Sequence, residues 1–145
     1  MAPSGIDKEK FLIQIERLEQ NYALLLDVKA QLGNAPSDAI PLVAAERLLQ
    51  ILIEECLNIG NHIISGLNLE RADTYKEIFV RLQQKGVISK EIGKELISFA
   101  SFRNRLVHLY WRVERDEMLS KLNNIEVVKQ FAEGVYAYLK SNKLL

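Results

Sequence analysis

The segment from Phe102 to Arg115 holds the residue types best suited to chemistry on a phosphate. Four arginines and one glutamate lie between Arg103 and Arg115, which gives a local net charge of +3. Arginine carries a planar, always charged fork that matches the oxygens of a phosphate group. The same segment contains His108, one of only two histidines in the chain. The composition therefore predicts a phosphate-facing surface that includes a group able to move protons.

Histidine and arginine together are suited to the cleavage of RNA. Histidine has an unperturbed pKa of about 6.5, so an imidazole can both accept and return a proton near neutral pH. His108 could deprotonate a 2′-hydroxyl or protonate the leaving oxygen, while Arg103 holds the charge that builds up on the phosphate. These two groups suffice for the reaction in which RNA cleaves its own backbone.

Arg103 and His108 do not meet on one straight helix. Five residues separate them, which places them about 140° apart around the helix axis. Arg103 shares a face with Tyr110, whereas Asn104 shares another face with His108. Either the helix bends, or a two-fold dimer brings two histidines and two arginines around one cleft. The spacing alone also fits a structural role, in which the arginine caps a helix and the histidine is partly buried.

A second candidate pair, Glu55 and His62, lies seven residues apart on one face of a predicted helix. Two ligands without a third are more typical of a hydrogen-bonded histidine than of a metal site. The single cysteine, Cys56, cannot form an internal disulfide and is a poor start for a zinc site. The sequence also lacks the phosphate-loop, dinucleotide-binding, zinc-protease and di-iron bundle motifs. We therefore expect neither a metal nor a cofactor.

The elements that must position these residues are helices. Gly and Pro total 10 residues, and they separate long stretches in which apolar residues recur every three or four positions. We expect an all-α, up-down antiparallel helical bundle with a central second helix. Its four long helices and one short helix are predicted from Asp7 to Leu32, from Pro41 to about Ser65, from Asp73 or Thr74 (short) to Gly86, from Ser89 to Leu106, and from Asp116 to Leu139.

Length and composition indicate one globular unit. The 145 residues suffice for a single domain, residues 1–145, with residues 1–6 expected to be flexible. Apolar residues make up 48% and charged residues 26%, which excludes a disordered body. No apolar run approaches the roughly 18 residues of a membrane span, and the N-terminus lacks the features of a secretory signal. We expect a cytoplasmic protein with no membrane partner.

The net charge of zero conceals an uneven distribution of charge. Residues 1–70 hold 5 basic and 10 acidic side chains, whereas residues 71–115 hold 10 basic and 5 acidic ones. A basic middle segment could steer a polyanion at low salt, although a solvated helix face would produce the same count.

The stretch from Arg103 to Tyr110 matches the R-x4-H-x-Y form of the R-x4-6-H motif of HEPN domains. The chain resembles the toxin of the HEPN-MNT toxin-antitoxin systems, the HepT family. The likeness extends to the phrases from Phe102 to Trp111 and from Ile53 to Ile64, and to the length and helix order, so that it covers essentially residues 7 to 140.

The resemblance implies a HEPN-like bundle that forms a homodimer, within a larger hetero-oligomer if its partner is bound. Its implied activity is that of a metal-independent endoribonuclease toxin, with transfer RNA as the expected substrate. Position in the motif assigns catalysis to Arg103 and His108 and a supporting role to Asn104. The implied partner is an MNT nucleotidyltransferase antitoxin, which inactivates the toxin by adding AMP to Tyr110.

Two further expectations concern residues around the motif. Arg105 and Arg112 lie on other faces of the segment and are expected to bind RNA through their charge. Asn58 stands where relatives are expected often to carry an acidic residue. If that acid orients the motif arginine, either Glu54 or Glu55 substitutes for it here, or the arginine is held less firmly.

The alternative to an enzyme is a non-catalytic helical protein that binds a nucleotide or docks on a nucleotidyltransferase. Such a module has no use for a histidine beside arginines. The motif therefore favours RNA cleavage.

Overall fold

The computed structural model describes residues 5–108 and 115–145. These residues form six α-helices and no β-strand, as the sequence predicts for an all-α bundle. The helices are α1 (Lys8–Asn34), α2 (Ala39–Gly66), α3 (Tyr75–Lys85), α4 (Lys90–His108), α5 (Arg115–Asn123) and α6 (Glu126–Ser141).

Polar caps determine where three of the helices begin. The carboxylate of Asp7 accepts the N–H of Lys10 at 3.0 Å and starts α1. Thr74, one of two predicted caps, starts α3 by accepting the N–H of Glu77 at 3.2 Å. Ser89 starts α4 in the same way, as predicted. Gly86 ends α3 in the left-handed conformation with φ +84°, which glycine adopts without strain.

Helix α2 lies at the centre of the bundle, which confirms the prediction from its apolar surface. It packs against α1, α3, α4, α5 and α6. Helices α1 and α4 each pack against both α2 and α6, so they occupy opposite corners of the four-helix arrangement. The core between them is filled by fully buried aromatic rings, including Phe11, Phe79, Phe99, Phe102 and Phe131.

The C-terminal part differs from the sequence prediction, because a single helix from Asp116 to Leu139 is wrong. Helix α5 ends at Asn123, and α6 begins at Glu126, after two intervening residues. The side-chain amide of Asn124 donates to the carbonyl oxygen of Ser120 at 3.0 Å, so it competes with the helical hydrogen bonds. The break lets Ile125, which is only 1% exposed, turn into the core.

The structure describes the N-terminal segment from residue 5 onward. The N–H of Gly5 donates to the carbonyl oxygen of Gly66 at 3.0 Å, and Ile6 is buried. The expected flexibility of residues 1–6 stays a prediction. No helix of the described part is long and apolar enough to cross a membrane.

Candidate active site

The candidate site is built on the last two turns of α4. Phe102 and Leu106 are buried and anchor this part of the helix in the core. Arg103 and Asn104 flank the buried stripe and are half-buried, whereas His108 is exposed at the last residue of the helix. The helix therefore holds the backbone of the motif while leaving the imidazole accessible.

The guanidinium of Arg103 is held across the bundle by α2. Its Nη2 donates to Oε1 of Glu54 at 2.7 Å, and its Nη1 donates to Oδ1 of Asn104 at 3.0 Å. The side chain of Arg103 is only 25% exposed, and its buried Nε has no hydrogen-bond partner among the described residues. The arginine is thus oriented by two acceptors and largely withdrawn from water.

Glu54 is in turn positioned by its own helix. Gln50, one turn earlier, donates from Nε2 to Oε1 of Glu54 at 3.3 Å. Burial works to raise the pKa of Glu54, but the hydrogen bonds from Arg103 and Gln50 outweigh it, so this pKa lies below its ordinary value. Glu54 consequently keeps its negative charge to a lower pH than an ordinary glutamate does.

The neighbouring Glu55 faces the other way, toward α1. One of its oxygens accepts from Nδ2 of Asn21 at 2.7 Å, and the other is buried with no partner in the described part of the chain. Burial raises the pKa of Glu55, against the lowering effects of the Asn21 hydrogen bond and of Arg17. Of the two candidates for holding the motif arginine, Glu54 makes the contact and Glu55 does not.

His62, the other histidine, is a structural residue. Its Nε2 accepts the N–H of Asp7 at 3.1 Å, and its Nδ1 lies 2.8 Å from Oε1 of Gln14. Because a neutral imidazole donates from only one nitrogen, Nδ1 carries the proton and donates to Gln14. Glu55 and His62 are thus each hydrogen-bonded to a residue near or within α1, Glu55 to Asn21 and His62 to Asp7 and Gln14. The described residues contain no group of three possible metal ligands.

Arg105 takes part in a contact that the sequence did not indicate. Its guanidinium forms an ion pair with Glu117 of α5 and lies 5.9 Å from the ring centroid of Phe102. Arg115, at the start of α5, donates to the hydroxyl of Ser37 at 3.2 Å. The Arg105–Glu117 ion pair joins α4 to α5, and the Arg115–Ser37 hydrogen bond joins the start of α5 to the α1–α2 connection.

Two predicted site residues, Tyr110 and Arg112, lie outside the described residues. Among the described ones, the structure brings Arg103 and Asn104 into direct contact and places His108 on the same helix. Sequence reasoning singled out Glu54 only as one of two alternatives, and it missed Gln50. The i, i+4 spacing of Gln50 and Glu54 was the available signal.

Comparison with known proteins decides the family. The model of the family described as ribonuclease HepT-like matches residues 14–135. The chain belongs to this family. It is 30% identical over 78 residues to the tRNA nuclease HepT of Aphanizomenon flos-aquae, an alignment that covers 54% of this chain and 53% of that protein. The chain therefore spans about half the length of this relative.

A further relative and its solved structure extend the comparison. The putative RNase YutE of Bacillus subtilis is 26% identical over 100 residues, which cover 68% of this chain and 69% of that protein. Its solved structure, described as that of a cytosolic protein of unknown function, has a TM-score of 0.82 at 24% identity and covers 96% of this chain and 94% of that one.

A toxin-antitoxin complex shares the fold as well. The tri-AMPylated Shewanella oneidensis HEPN toxin, solved in complex with its MNT antitoxin, has a TM-score of 0.81 at 21% identity over 88% of this chain and 96% of that one. The HEPN-like helical fold is thus confirmed, and membership of the HepT-like ribonucleases supports the prediction of an enzyme over that of a binding module.

Proposed function

We propose that this protein is the toxin of a toxin-antitoxin pair and cleaves RNA as a metal-independent endoribonuclease, with transfer RNA as its substrate class. The observation that carries the proposal is the guanidinium of Arg103, fixed by Glu54 and Asn104 on the helix that ends at the exposed His108. The Aphanizomenon relative, a tRNA nuclease by name, supports the substrate class.

The proposed reaction is a transesterification within the RNA, in which the phosphoryl group passes from the 5′-oxygen to the 2′-oxygen. An imidazole takes the proton of a 2′-hydroxyl, and the 2′-oxygen attacks the adjacent phosphorus. The bond from phosphorus to the 5′-oxygen breaks as an imidazolium returns a proton to that oxygen, which yields a 2′,3′-cyclic phosphate and a 5′-hydroxyl. Arg103 binds the non-bridging oxygens and stabilises the charge that grows on them.

A homodimer completes the site in this proposal. Helix α4 is continuous to its last residue, so Arg103 and His108 stay about 140° apart around the helix axis. Ile40 and Val43 are 81% and 65% exposed near the start of α2, and the Arg115–Ser37 hydrogen bond holds this end of the bundle beside the start of α5. A two-fold interface at this end would cover apolar surface and supply one imidazole as base and another as acid.

RNA binding around the reacting phosphate falls to the remaining polar residues of the motif. Asn104, which already contacts Arg103, keeps the guanidinium aimed. Arg105 and Arg112 attract the backbone of the RNA, and Arg105 must exchange its ion pair with Glu117 for a phosphate to do so.

We further assign residues 1–145 to one domain and the protein to the cytoplasm.

Regulation follows from the position of Tyr110 two residues beyond His108. An AMP group on its hydroxyl would add an anion and a bulky adenosine next to the arginines, which excludes RNA by repulsion and by volume. We assign this modification to an MNT nucleotidyltransferase antitoxin, and the AMPylated state of the Shewanella neighbour in complex with its MNT antitoxin supports the assignment.

A cleavage assay tests the enzymatic proposal. Purified protein is incubated with transfer RNA in EDTA, and discrete fragments with 2′,3′-cyclic phosphate ends are expected. His108→Ala should produce these fragments at least about 100-fold more slowly, whereas His62→Ala, the matched control, should cut in proportion to its folded fraction. If wild-type protein leaves transfer RNA and total RNA intact, the non-catalytic docking module becomes the better description.

A mass measurement tests the regulatory proposal. Co-expression with the cognate nucleotidyltransferase should add whole AMP masses at Tyr110 and abolish cleavage. Tyr110→Phe should stay unmodified and still cut RNA, since the hydroxyl takes no part in the proton transfers. A neutralised but unmodified wild-type protein would mean that the partner acts by occlusion.

A further inference from the structure

A groove runs between α1 and α6 on the side of the bundle away from the candidate active site. Two adjoining cavities of about 440 and 310 Å³ share Glu19, Ala132 and Glu133 along their walls. The groove extends from Leu12, at one end, to Leu26, at the other. Fourteen residues of α1 separate these ends, a length of roughly 21 Å, which equals about four turns of a helix.

The floor of the groove is apolar and accessible. Leu12, Leu26 and Tyr136 are 49%, 41% and 39% exposed, although each is a large side chain of a kind that usually packs inside. Ala23 and Ala132 lie between them and leave room for a partner's side chains. The two parallel walls with an apolar floor form the kind of surface into which an amphipathic helix fits.

The rim of the groove is acidic. Glu16, Glu19 and Glu133 line it, and Glu133 is paired with Lys129 at 3.9 Å. Within residues 5–108 and 115–145, Glu16 and Glu19 have no ion-pair partner. The uncompensated charge in the middle of the groove is therefore negative, and it repels nucleic acid.

The local potential acts on a neighbouring phenol as well. Burial raises the pKa of Tyr22, and the carboxylates of Glu126 and Glu133 raise it further. Lys140 lies 5.8 Å from the ring centroid of Tyr136, and Lys129 is paired with Glu133, so both nearby cations are already engaged. The groove is thus negative over most of its length.

We infer that the α1–α6 groove is a docking site for a basic amphipathic helix of a protein partner. The apolar floor takes the leucine-type face of that helix, and Glu16 and Glu19 pair with lysines or arginines beside it. A second copy of this chain fits less well, because an antiparallel pairing of two α1 helices that sets Leu12 against Leu26 also sets Glu19 against its own copy. The inference does not depend on the nuclease proposal.

Two synthetic 16-residue helical peptides test the inference. Both carry leucines along one face at three- and four-residue spacing, one with lysines beside them and the other with glutamates. The full-length protein should bind the lysine peptide at least tenfold more tightly than the glutamate peptide. The variant E16K/E19K should reverse that preference, whereas E70K/D73K, with the same charge change in the exposed α2–α3 connection, should keep it.

The apolar part has its own variant. L12A/L26A should weaken binding of the lysine peptide while RNA cleavage and the oligomeric state stay as in the wild type. A preference that survives in E16K/E19K, or the absence of measurable binding to the lysine peptide, would overturn the inference. A loss of self-association in L12A/L26A would show that a second copy occupies the groove instead.

Discussion

Two faces of α2 carry nearly the same residue types and use them in opposite ways. On one face Glu54 meets Arg103, on the helix that ends at an exposed histidine; on the other Glu55 meets Asn21, near a buried histidine. The buried imidazole of His62 has both nitrogens engaged by its own chain, so it has nothing left to offer a substrate. Residue type alone therefore does not make a site, because free hydrogen-bonding capacity at an accessible position is also required.

The largest expected effect separates the two histidines. His108→Ala should reduce RNA cleavage by about 10²- to 10⁴-fold, the contribution of a general acid or base, with an almost unchanged melting temperature. His62→Ala should instead destabilise the fold by about 1–3 kcal/mol, since it leaves the N–H of Asp7 and the amide of Gln14 unpaired. Cleavage rates and thermal unfolding of both variants check this contrast. Equal cleavage by His108→Ala and the wild type would remove the catalytic assignment.

The next effect separates two arginines that face the two glutamates. Arg103→Lys should lose most of the activity although the charge is kept. A lysine ammonium lacks the planar guanidinium that can donate to Glu54 and to a phosphate at the same time. Arg17→Lys, near Glu55, is the matched control and should cleave RNA at the wild-type rate. Single-turnover cleavage rates measure both. Near-normal turnover in Arg103→Lys would reduce that residue to a purely electrostatic role.

The two glutamates themselves give a smaller contrast. Glu54→Gln should lower kcat by about 10-fold or more with little change in KM, because Arg103 loses a charged anchor and its aim loosens. Glu54→Asp should restore part of the rate. Glu55→Gln should leave cleavage unchanged. Its free energy of unfolding at pH 7 should equal or exceed that of the wild type. The reason is that folding raises the pKa of Glu55, so the ionised side chain destabilises the folded state at any pH above its pKa in the unfolded chain. Steady-state kinetics and urea unfolding decide between these outcomes.

The smallest expected effect is a pH dependence of the free energy of unfolding that comes from His62. Burial lowers the pKa of His62, and Lys10 lowers it further against the opposing effect of Asp7. As the pH falls, His62 therefore takes up a proton in the unfolded chain before it does so in the folded protein. Its contribution to stability is complete above the pKa of the unfolded state and declines as the pH falls toward the lower pKa of the folded state. Urea unfolding between pH 7.5 and 5.5 should show the decline in wild type and in His108→Gln, and a flatter profile in His62→Gln. Identical slopes in all three proteins would contradict it.

Local sequence signals were sufficient for much of this protein. The apolar periodicity predicted the long helices and the central place of α2, and the types of Thr74 and Ser89 predicted two caps, because these features depend on residues three or four positions apart. The motif from Arg103 to Tyr110 indicated the family for the same reason, since its spacing is readable within eight consecutive residues of the sequence. The sequence did not predict the break between α5 and α6 at Asn124, because its cause lies in a side-chain hydrogen bond and in the burial of Ile125.

Contacts between distant segments settled the remaining questions. Glu54 and Glu55 are adjacent in sequence and identical in type, but consecutive residues of a helix point about 100° apart, so only the packing of α2 against α4 and α1 assigns them to different neighbours. Residue type does not distinguish the two histidines. The fold distinguishes them, because it buries His62 and leaves His108 exposed. The α1–α6 groove likewise exists only where two helices far apart in the chain lie side by side, because long-range packing sets which surfaces remain open to solvent.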